Sequence, residues 1–215
     1  MIQIVVGKGP ETKTFAIHEP LLTTSSAYFQ RALQSTFKEG KESKVELEEE
    51  DPLIFGLMNE YLYSGHVRVS CSIVTKKRLR WLCFCELWLL AHYLQMPKLI
   101  NYAMYQIFEW MDAVDKASAP SYPDLEEIYD VYERAPVDSK LRKFLADLLV
   151  WSGWNLELTQ AAPNQLLLDM VAELRRKCVS SVRSPLLDAR IYYMKEEELV
   201  PVEEKIAEKD AAKTD

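Results

Sequence analysis

The sequence contains little glycine, with 6 Gly in 215 residues, and its 4 cysteines fall at no regular spacing. So few glycines argue against Gly-rich nucleotide-binding loops and repetitive turns. The cysteines, at positions 71, 83, 85 and 178, do not suggest a disulfide framework, and no Asn-x-Ser/Thr acceptor or signal-like start is present. These absences predict a protein of a reducing, intracellular compartment, either the cytoplasm or the nucleus.

Long apolar runs and an excess of basic charge are also missing. The longest apolar stretch, Trp81 to Met96, is interrupted by Glu86 and His92 and is shorter than the roughly 20 residues that a membrane-spanning helix needs. Lys and Arg total 26 against 33 Asp and Glu, so the formal net charge is -7. We therefore expect neither a membrane nor direct nucleic-acid binding.

Motifs for catalysis, nucleotides and metals are not found. After Gly7-Lys8 the chain continues with Gly and Pro, where a phosphate-binding loop needs Ser or Thr at the start of a helix. His18-Glu19 has Leu22 where a zinc protease would carry its second His. Cys83 and Cys85 stand two apart on a predicted helix, so they point to opposite sides and are predicted to be core cysteines. The sequence predicts no enzyme, no cofactor and no metal.

One basic cluster stands out in this acidic chain: Lys76, Lys77, Arg78 and Arg80, with Leu79 between them and Trp81 after them. Such a run is typical of a nuclear-import sequence or of a phosphate contact. A solvated loop leading into the next helix is the alternative that we favour, because no aromatic platform accompanies the charges.

Hydrophobic patterning predicts an α+β fold. Apolar residues make up 48% of the chain, which is enough for a sizeable core. Residues 2–17 alternate as a β-hairpin, 44–48 alternate as a third strand, and 66–69 are a candidate fourth strand. Asp51-Pro52 is a typical helix start and Ser64-Gly65 a typical stop.

Helical spacing dominates the rest of the chain. We expect a buried helix from about Leu82 to Leu94, another after Pro97, an antiparallel pair after Pro123, and a helix near Pro163 whose Leu167, Met170, Val171 and Leu174 face inward. These patterns predict a first domain at 1–116, a linker at 117–123, a helical extension at 124–194 and a charged, disordered tail at 195–215.

The motifs, taken in order, resemble the BTB/POZ family, and in particular fungal single-domain BTB proteins. The pieces that carry this resemblance are Val5-Val6-Gly7, Phe15 to Leu22, Ser26-Ala27-Tyr28-Phe29, Phe37-Lys38-Glu39, Val45-Glu46-Leu47, Asp51-Pro52, Phe55, Tyr61 to Gly65, and Ala91 to Leu99. The stretch from Tyr129 to Gly153 is similar to the helical extension that fungal members carry. The resemblance implies a small, mostly antiparallel sheet flanked by a helical cluster and followed by that extension.

The same resemblance implies a non-enzymatic protein-interaction module or scaffold. Family members self-associate through one surface, and many recruit a ubiquitin-ligase cullin through another. The expected partners are therefore a second BTB chain, as a homodimer or heterodimer, and a cullin. The extra strand and helix that many dimeric members carry before the segment starting here at Ile2 are not found.

The resemblance also assigns the expected partner contacts. Cullin binding in the family uses the helix that ends at the Tyr-x-Tyr-x-Gly turn, the turn itself, and the following helix. The corresponding residues here are Met58, Glu60, Tyr63, Ser64, Leu87, Tyr93 and Met96. The alternative to a cullin adaptor is a nuclear regulatory or assembly scaffold that does not read DNA directly and that uses the basic run for import.

Overall fold

The computed structural model describes residues 1–33, 43–68, 80–115, 123–151, 160–179 and 188–194. The strands are β1 (Ile2–Val6), β2 (Lys13–Ile17) and β3 (Lys44–Leu47). The helices of these ranges are α1 (Glu19–Ser25), α2 (Ala27–Ala32), α3 (Pro52–Ser64), α4 (Arg80–Tyr93), α5 (Pro97–Asp115), α6 (Leu125–Arg134), α7 (Lys140–Trp151) and α8 (Asn164–Val179). Short 3-10 turns lie at Gly9–Glu11 and Ala189–Tyr192. The predicted α+β class is confirmed.

The sheet is mixed, whereas the sequence predicted a mostly antiparallel one. β1 is central and pairs with β2 antiparallel, with Ile2 opposite Ile17. On its other edge β1 pairs with β3 in parallel, with Gln3 opposite Lys44. Alternating hydrophobicity identifies which face of a strand is buried but not which strand lies beside it. The parallel pair could not be foreseen for this reason.

The candidate fourth strand is not formed over residues 66–68, and Val69 lies outside the described residues. The backbone groups here bond to side chains instead of to a neighbouring strand. The Val67 N–H donates to the Tyr102 hydroxyl at 2.8 Å, and the Arg68 N–H donates to a Glu60 carboxylate oxygen at 3.3 Å. Because these two backbone N–H groups already have hydrogen-bond partners, they do not require pairing with a neighbouring strand.

Helix α3 begins and ends where the sequence predicted. Asp51 caps it, since its carboxylate accepts a hydrogen bond from the Leu53 N–H at 2.7 Å, and Pro52 occupies the first position, where no N–H is needed. At the other end Gly65 adopts a left-handed φ of 73°, and its N–H donates to the Tyr61 carbonyl at 2.8 Å. A residue with a Cβ would be strained there, so glycine terminates the helix.

Helix α4 is the centre of the core. Its Trp81, Phe84, Cys85 and Trp88 are buried, and so are residues on its other faces. A helix that is apolar all round packs on several sides. After a turn at 94–96, α5 runs back along α4, while α3 packs on another side. Cys83 and Cys85 are core residues, as predicted.

Helix α8 packs on α7 through a face that only partly matches the predicted one. Leu167 and Met170 are half-buried against the core, as predicted. Val171 and Leu174 are exposed, by 54% and 43%, although the spacing of apolar residues placed them inward. The inner face includes the buried Glu173, which accepts a hydrogen bond from Trp151 Nε1 at 2.8 Å. A pattern that counts only apolar residues misses such a buried, bonded carboxylate.

Candidate interaction surface

Tyr63 is an exposed aromatic side chain at the end of α3 that contacts the start of α1. Its hydroxyl accepts a hydrogen bond from the His18 backbone N–H at 3.3 Å and lies 2.8 Å from His18 Nδ1. Because both contacts involve the same hydroxyl, they fix the direction of the Tyr63 side chain relative to the start of α1. Half of Tyr63 remains exposed, so its ring is oriented and still available to a partner.

Tyr93 is the corresponding exposed residue at the end of α4, and it packs against α2. Its ring lies 5.3 Å from the ring of Tyr28, at an angle of 43°. Next to it, the Arg31 guanidinium donates to Gln95 Oε1 at 2.5 Å, which joins α2 to the α4–α5 turn. One exposed tyrosine therefore contacts the start of α1, and a second contacts the start of α2.

A groove of about 430 Å³ runs along the same pair of helices, and we call it the α1–α2 groove. Its walls come from α1 and α2, from Tyr61 of α3, and from the turn that leads into α5; they include Thr23, Thr24, Gln30, Pro97 and Lys98. The hydroxyls of Thr23 and Thr24 donate to carbonyls within α1. Because those hydroxyls are satisfied, an apolar group can fill the groove without stranding them.

Three of the seven predicted partner contacts are buried. Met58 and Leu87 are fully buried and Met96 is 1% exposed, so none of them presents a side chain to a partner in this structure. Met96 nevertheless forms part of the groove wall. The family resemblance assigned these residues by segment, and it could not tell which side of α3 or α4 faces outward.

The other four predicted contacts are accessible. Tyr63, Tyr93 and Ser64 are exposed, and Glu60 is half-buried. The Ser64 hydroxyl is engaged within its own turn, where it donates to backbone carbonyls. Sequence analysis missed Tyr28 and the groove threonines as surface residues, because only the fold brings them next to Tyr93 and Tyr61.

The basic cluster cannot be placed on this surface. Lys76, Lys77 and Arg78 lie outside the described residues, as do Phe37-Lys38-Glu39 of the family motifs and the predicted tail at 195–215. Arg80 is the first residue of α4, and its side chain is also outside the description.

A second groove, of about 470 Å³, lies where β3, α3, α4 and α6 meet, and acidic residues surround it. Arg134 of α6 donates two hydrogen bonds to Glu86 of α4 across it. Burial, and after it the nearby Glu86 carboxylate, raises the pKa of Glu50. The Arg134 pair with Glu86 holds α6 against α4, which gives this groove a structural role.

His92 lines the same groove, and replacing it is expected to flatten the pH dependence of stability. Its ring stacks on Trp88 at 5.2 Å, and burial lowers its pKa from the usual 6.5. The unfolded chain therefore takes up a proton at higher pH than the folded one does. Keeping His92 neutral adds to the free energy of unfolding, and this contribution is present in full above about pH 6.5. It is lost as the pH falls toward the lower pKa of His92 in the folded state.

The variant His92→Phe keeps an aromatic ring at this position and removes the titration. Thermal unfolding between pH 7.5 and 5.5 is the measurement, and the wild-type Tm should fall more than that of the variant. Effects from Glu50 act on both proteins and cancel in the comparison. Parallel Tm curves for the two proteins would contradict the role of His92.

The described ranges contain neither a metal site nor a membrane-spanning helix. Within them, no three His, Cys, Asp or Glu side chains come together in a group that could hold a metal ion. No helix in the same ranges combines the length and the apolar character needed to cross a membrane.

Comparison with known proteins agrees with the fold. The BTB/POZ domain family matches residues 2–107, from β1 into α5. A stretch of 58 residues is 31% identical to Kelch-like protein 40 of Xenopus tropicalis; it covers 27% of this chain and 9% of that relative. The match to this relative therefore spans only a small part of its length. With its three-stranded mixed sheet and helical cluster, the chain contains a BTB/POZ domain at residues 2–107, a domain of the kind that mediates protein interaction.

Proposed function

We propose that this chain is a substrate adaptor that binds a cullin-type ubiquitin ligase through the α1–α2 groove and the exposed tyrosines Tyr63 and Tyr93. The observation that carries the proposal is a groove along α1 and α2 in a BTB/POZ domain, together with two half-exposed tyrosines, Tyr63 and Tyr93, that contact the start of α1 and Tyr28 of α2. The match to a Kelch-like protein supports the comparison with BTB adaptors. In this proposal residues 1–116 are the BTB/POZ unit, and after a linker at 117–123 the helices of 124–194 extend the cullin face or hold the substrate.

The chemistry of this surface is suited to a protein partner. Tyrosine is enriched among the residues that dominate binding energy, because it buries a large ring at small entropic cost and keeps a polar tip. The hydrogen bond between Tyr63 and His18 and the packing of Tyr93 on Tyr28 fix both rings before a partner arrives. Such preorganisation reduces the cost of binding.

Removing both tyrosine rings is expected to weaken cullin binding at least tenfold. Isothermal titration of the full chain against the N-terminal domain of the BTB-associated cullin measures this, with Tyr63→Ala and Tyr93→Ala combined. Two alanine truncations of central anchors cost more than about 1 kcal/mol each. That loss corresponds to tenfold or more in affinity.

The matched control is Tyr105→Ala, which removes a similarly exposed tyrosine (44%) from α5, away from the groove. It should bind as the wild type does. The proposal is wrong if the well-folded wild-type chain produces no heat at about 100 μM cullin domain, or if the double variant binds unchanged.

The second candidate function is a nuclear regulatory or assembly scaffold, which the basic run from Lys76 to Arg80 favours. Residues 70–85 fused to a fluorescent reporter test it directly. Nuclear accumulation that is lost when the four basic residues become alanine supports this function, and a cytosolic reporter removes its main argument.

A further inference from the structure

Residues 188–194, which we call the anchor segment, lie across helices α5 and α7. Asp188 caps their 3-10 turn by accepting a hydrogen bond from the Arg190 N–H at 3.0 Å. Tyr192 is fully buried, and its ring lies 5.4 Å from the ring of Phe108 on α5 and 5.4 Å from that of Phe144 on α7. A single side chain therefore fills an aromatic pocket formed by two helices that are distant in sequence.

The hydroxyl of Tyr192 meets the buried carboxylate of Asp147 in this pocket, and that carboxylate favours a ligand with a hydroxyl group. Tyr192 donates its phenolic proton to Asp147, whose side chain is only 2% exposed. Lys143, one turn earlier on α7, donates to the same carboxylate at 2.6 Å. Lys143 remains as a partner of Asp147 when the tyrosine is absent, so the empty pocket does not contain an unpaired buried charge.

Next to the pocket, Asn101 of α5 binds the backbone of Met194. Its amide donates to the Met194 carbonyl at 2.9 Å, and its carbonyl accepts from the Met194 N–H at 2.8 Å. These two bonds are the pair that a neighbouring β-strand would form with one residue. Because both bonds go to backbone atoms, Asn101 would bind any residue at this position. Selectivity therefore comes from the tyrosine pocket and from the buried Met194 side chain.

We propose that Asn101, Phe108, Phe144 and Asp147 form a peptide-recognition site, which the anchor segment fills in cis and which a partner segment with a tyrosine two residues before an apolar residue fills in its place. Only Tyr192 and Met194 are deeply buried, whereas Ile191 is 42% exposed and the Arg190 side chain 81%. Two buried positions two residues apart, one at the end of the 3-10 turn and one just after it, fit the pattern of a short linear motif. This site is separate from the α1–α2 groove.

The chemistry of the pocket predicts which segments bind. An unmodified tyrosine donates to Asp147, whereas a phenylalanine leaves that carboxylate without one of its donors. A phosphotyrosine brings negative charge and only acceptor oxygens against the same carboxylate, so it is excluded. The cis segment competes at an effective concentration on the order of millimolar, so a partner segment gains access most readily when the anchor is removed.

Fluorescence anisotropy with a labelled peptide of residues 187–196 tests the site in the full chain. The variant Tyr192→Ala empties the pocket, and it should bind this peptide at least tenfold more tightly than the wild type does. In the same variant Asn101→Ala should reduce binding at least tenfold. A peptide with Tyr192→Phe should bind about tenfold more weakly, a peptide phosphorylated at Tyr192 should not bind, and the control peptide with Tyr193→Phe should bind normally.

A folded Tyr192→Ala chain that does not bind the peptide overturns the proposal, and so does equal binding of the phosphorylated peptide. If that variant does not fold, a protease site placed within residues 180–187 of the wild-type chain decides the question. After cleavage the labelled peptide should exchange for the anchor segment on gel filtration. A cleaved chain that unfolds, or that retains its own segment against excess peptide, shows that the segment is a permanent part of the core.

Discussion

Replacing Phe55 with alanine is expected to lower the free energy of unfolding by about 3–5 kcal/mol. Phe55 is fully buried on the inner side of α3, and its ring lies 4.9 Å from that of Phe15 on β2. The side chain therefore joins the sheet to the helical cluster. Its removal costs the transfer free energy of a phenyl ring and leaves a cavity between two rigid layers, which relax only partly.

Urea and thermal unfolding of the full chain measure this effect. For a chain of this size the expected loss corresponds to a Tm decrease of about 6–20 °C. Val137→Ala is the control, because Val137 is 72% exposed and a surface truncation changes stability by less than about 0.5 kcal/mol. A loss below about 1 kcal/mol for Phe55→Ala would mean that the sheet and α3 can move together to close the cavity.

Features that depend on neighbouring residues in the chain were predictable from the sequence. The β1–β2 hairpin is a local pairing, and α3 has a cap at Asp51 and a stop at Gly65 that are visible as residue types. The parallel partner of β1 was not predictable, because β2, α1 and α2 come between β1 and β3 in the described residues and the alternation of β3 is compatible with either neighbour.

The exposure of the predicted contact residues was only partly predictable from the sequence. Resemblance placed the contacts on α3 and α4, and Tyr63 and Tyr93 are indeed exposed, but Met58 and Leu87 are core residues. In α4 apolar residues occur on every side, so no periodicity separates an inner from an outer face. The α1–α2 groove itself joins α1 and α2 to the α4–α5 turn, contacts that sequence patterns do not record.

Ser26 links α2 to the α4–α5 turn, and Ser26→Ala is expected to lower the free energy of unfolding by about 2–3 kcal/mol. It is 2% exposed; its hydroxyl caps α2 by accepting from the Phe29 N–H at 3.1 Å and donates to the Leu94 carbonyl at 2.5 Å, 68 residues away. Losing the cap accounts for about 1 kcal/mol. The rest comes from leaving the buried Leu94 carbonyl with one bond fewer.

The effect of Ser26→Ala should extend beyond stability, because Ser26 and the turn after Leu94 form adjoining walls of the α1–α2 groove. Weakening their contact lets these walls separate, so cullin binding should decrease although Tyr63 and Tyr93 are unchanged. Ser26→Thr keeps the hydroxyl, and Ser25→Ala removes one from the same turn outside this cap. Both should retain stability, and Ser26→Thr should also retain binding, whereas Ser25 itself lines the groove. If Ser26→Ala lowers the unfolding free energy but binds cullin as the wild type does, then cullin binding depends on the two tyrosines and not on the groove.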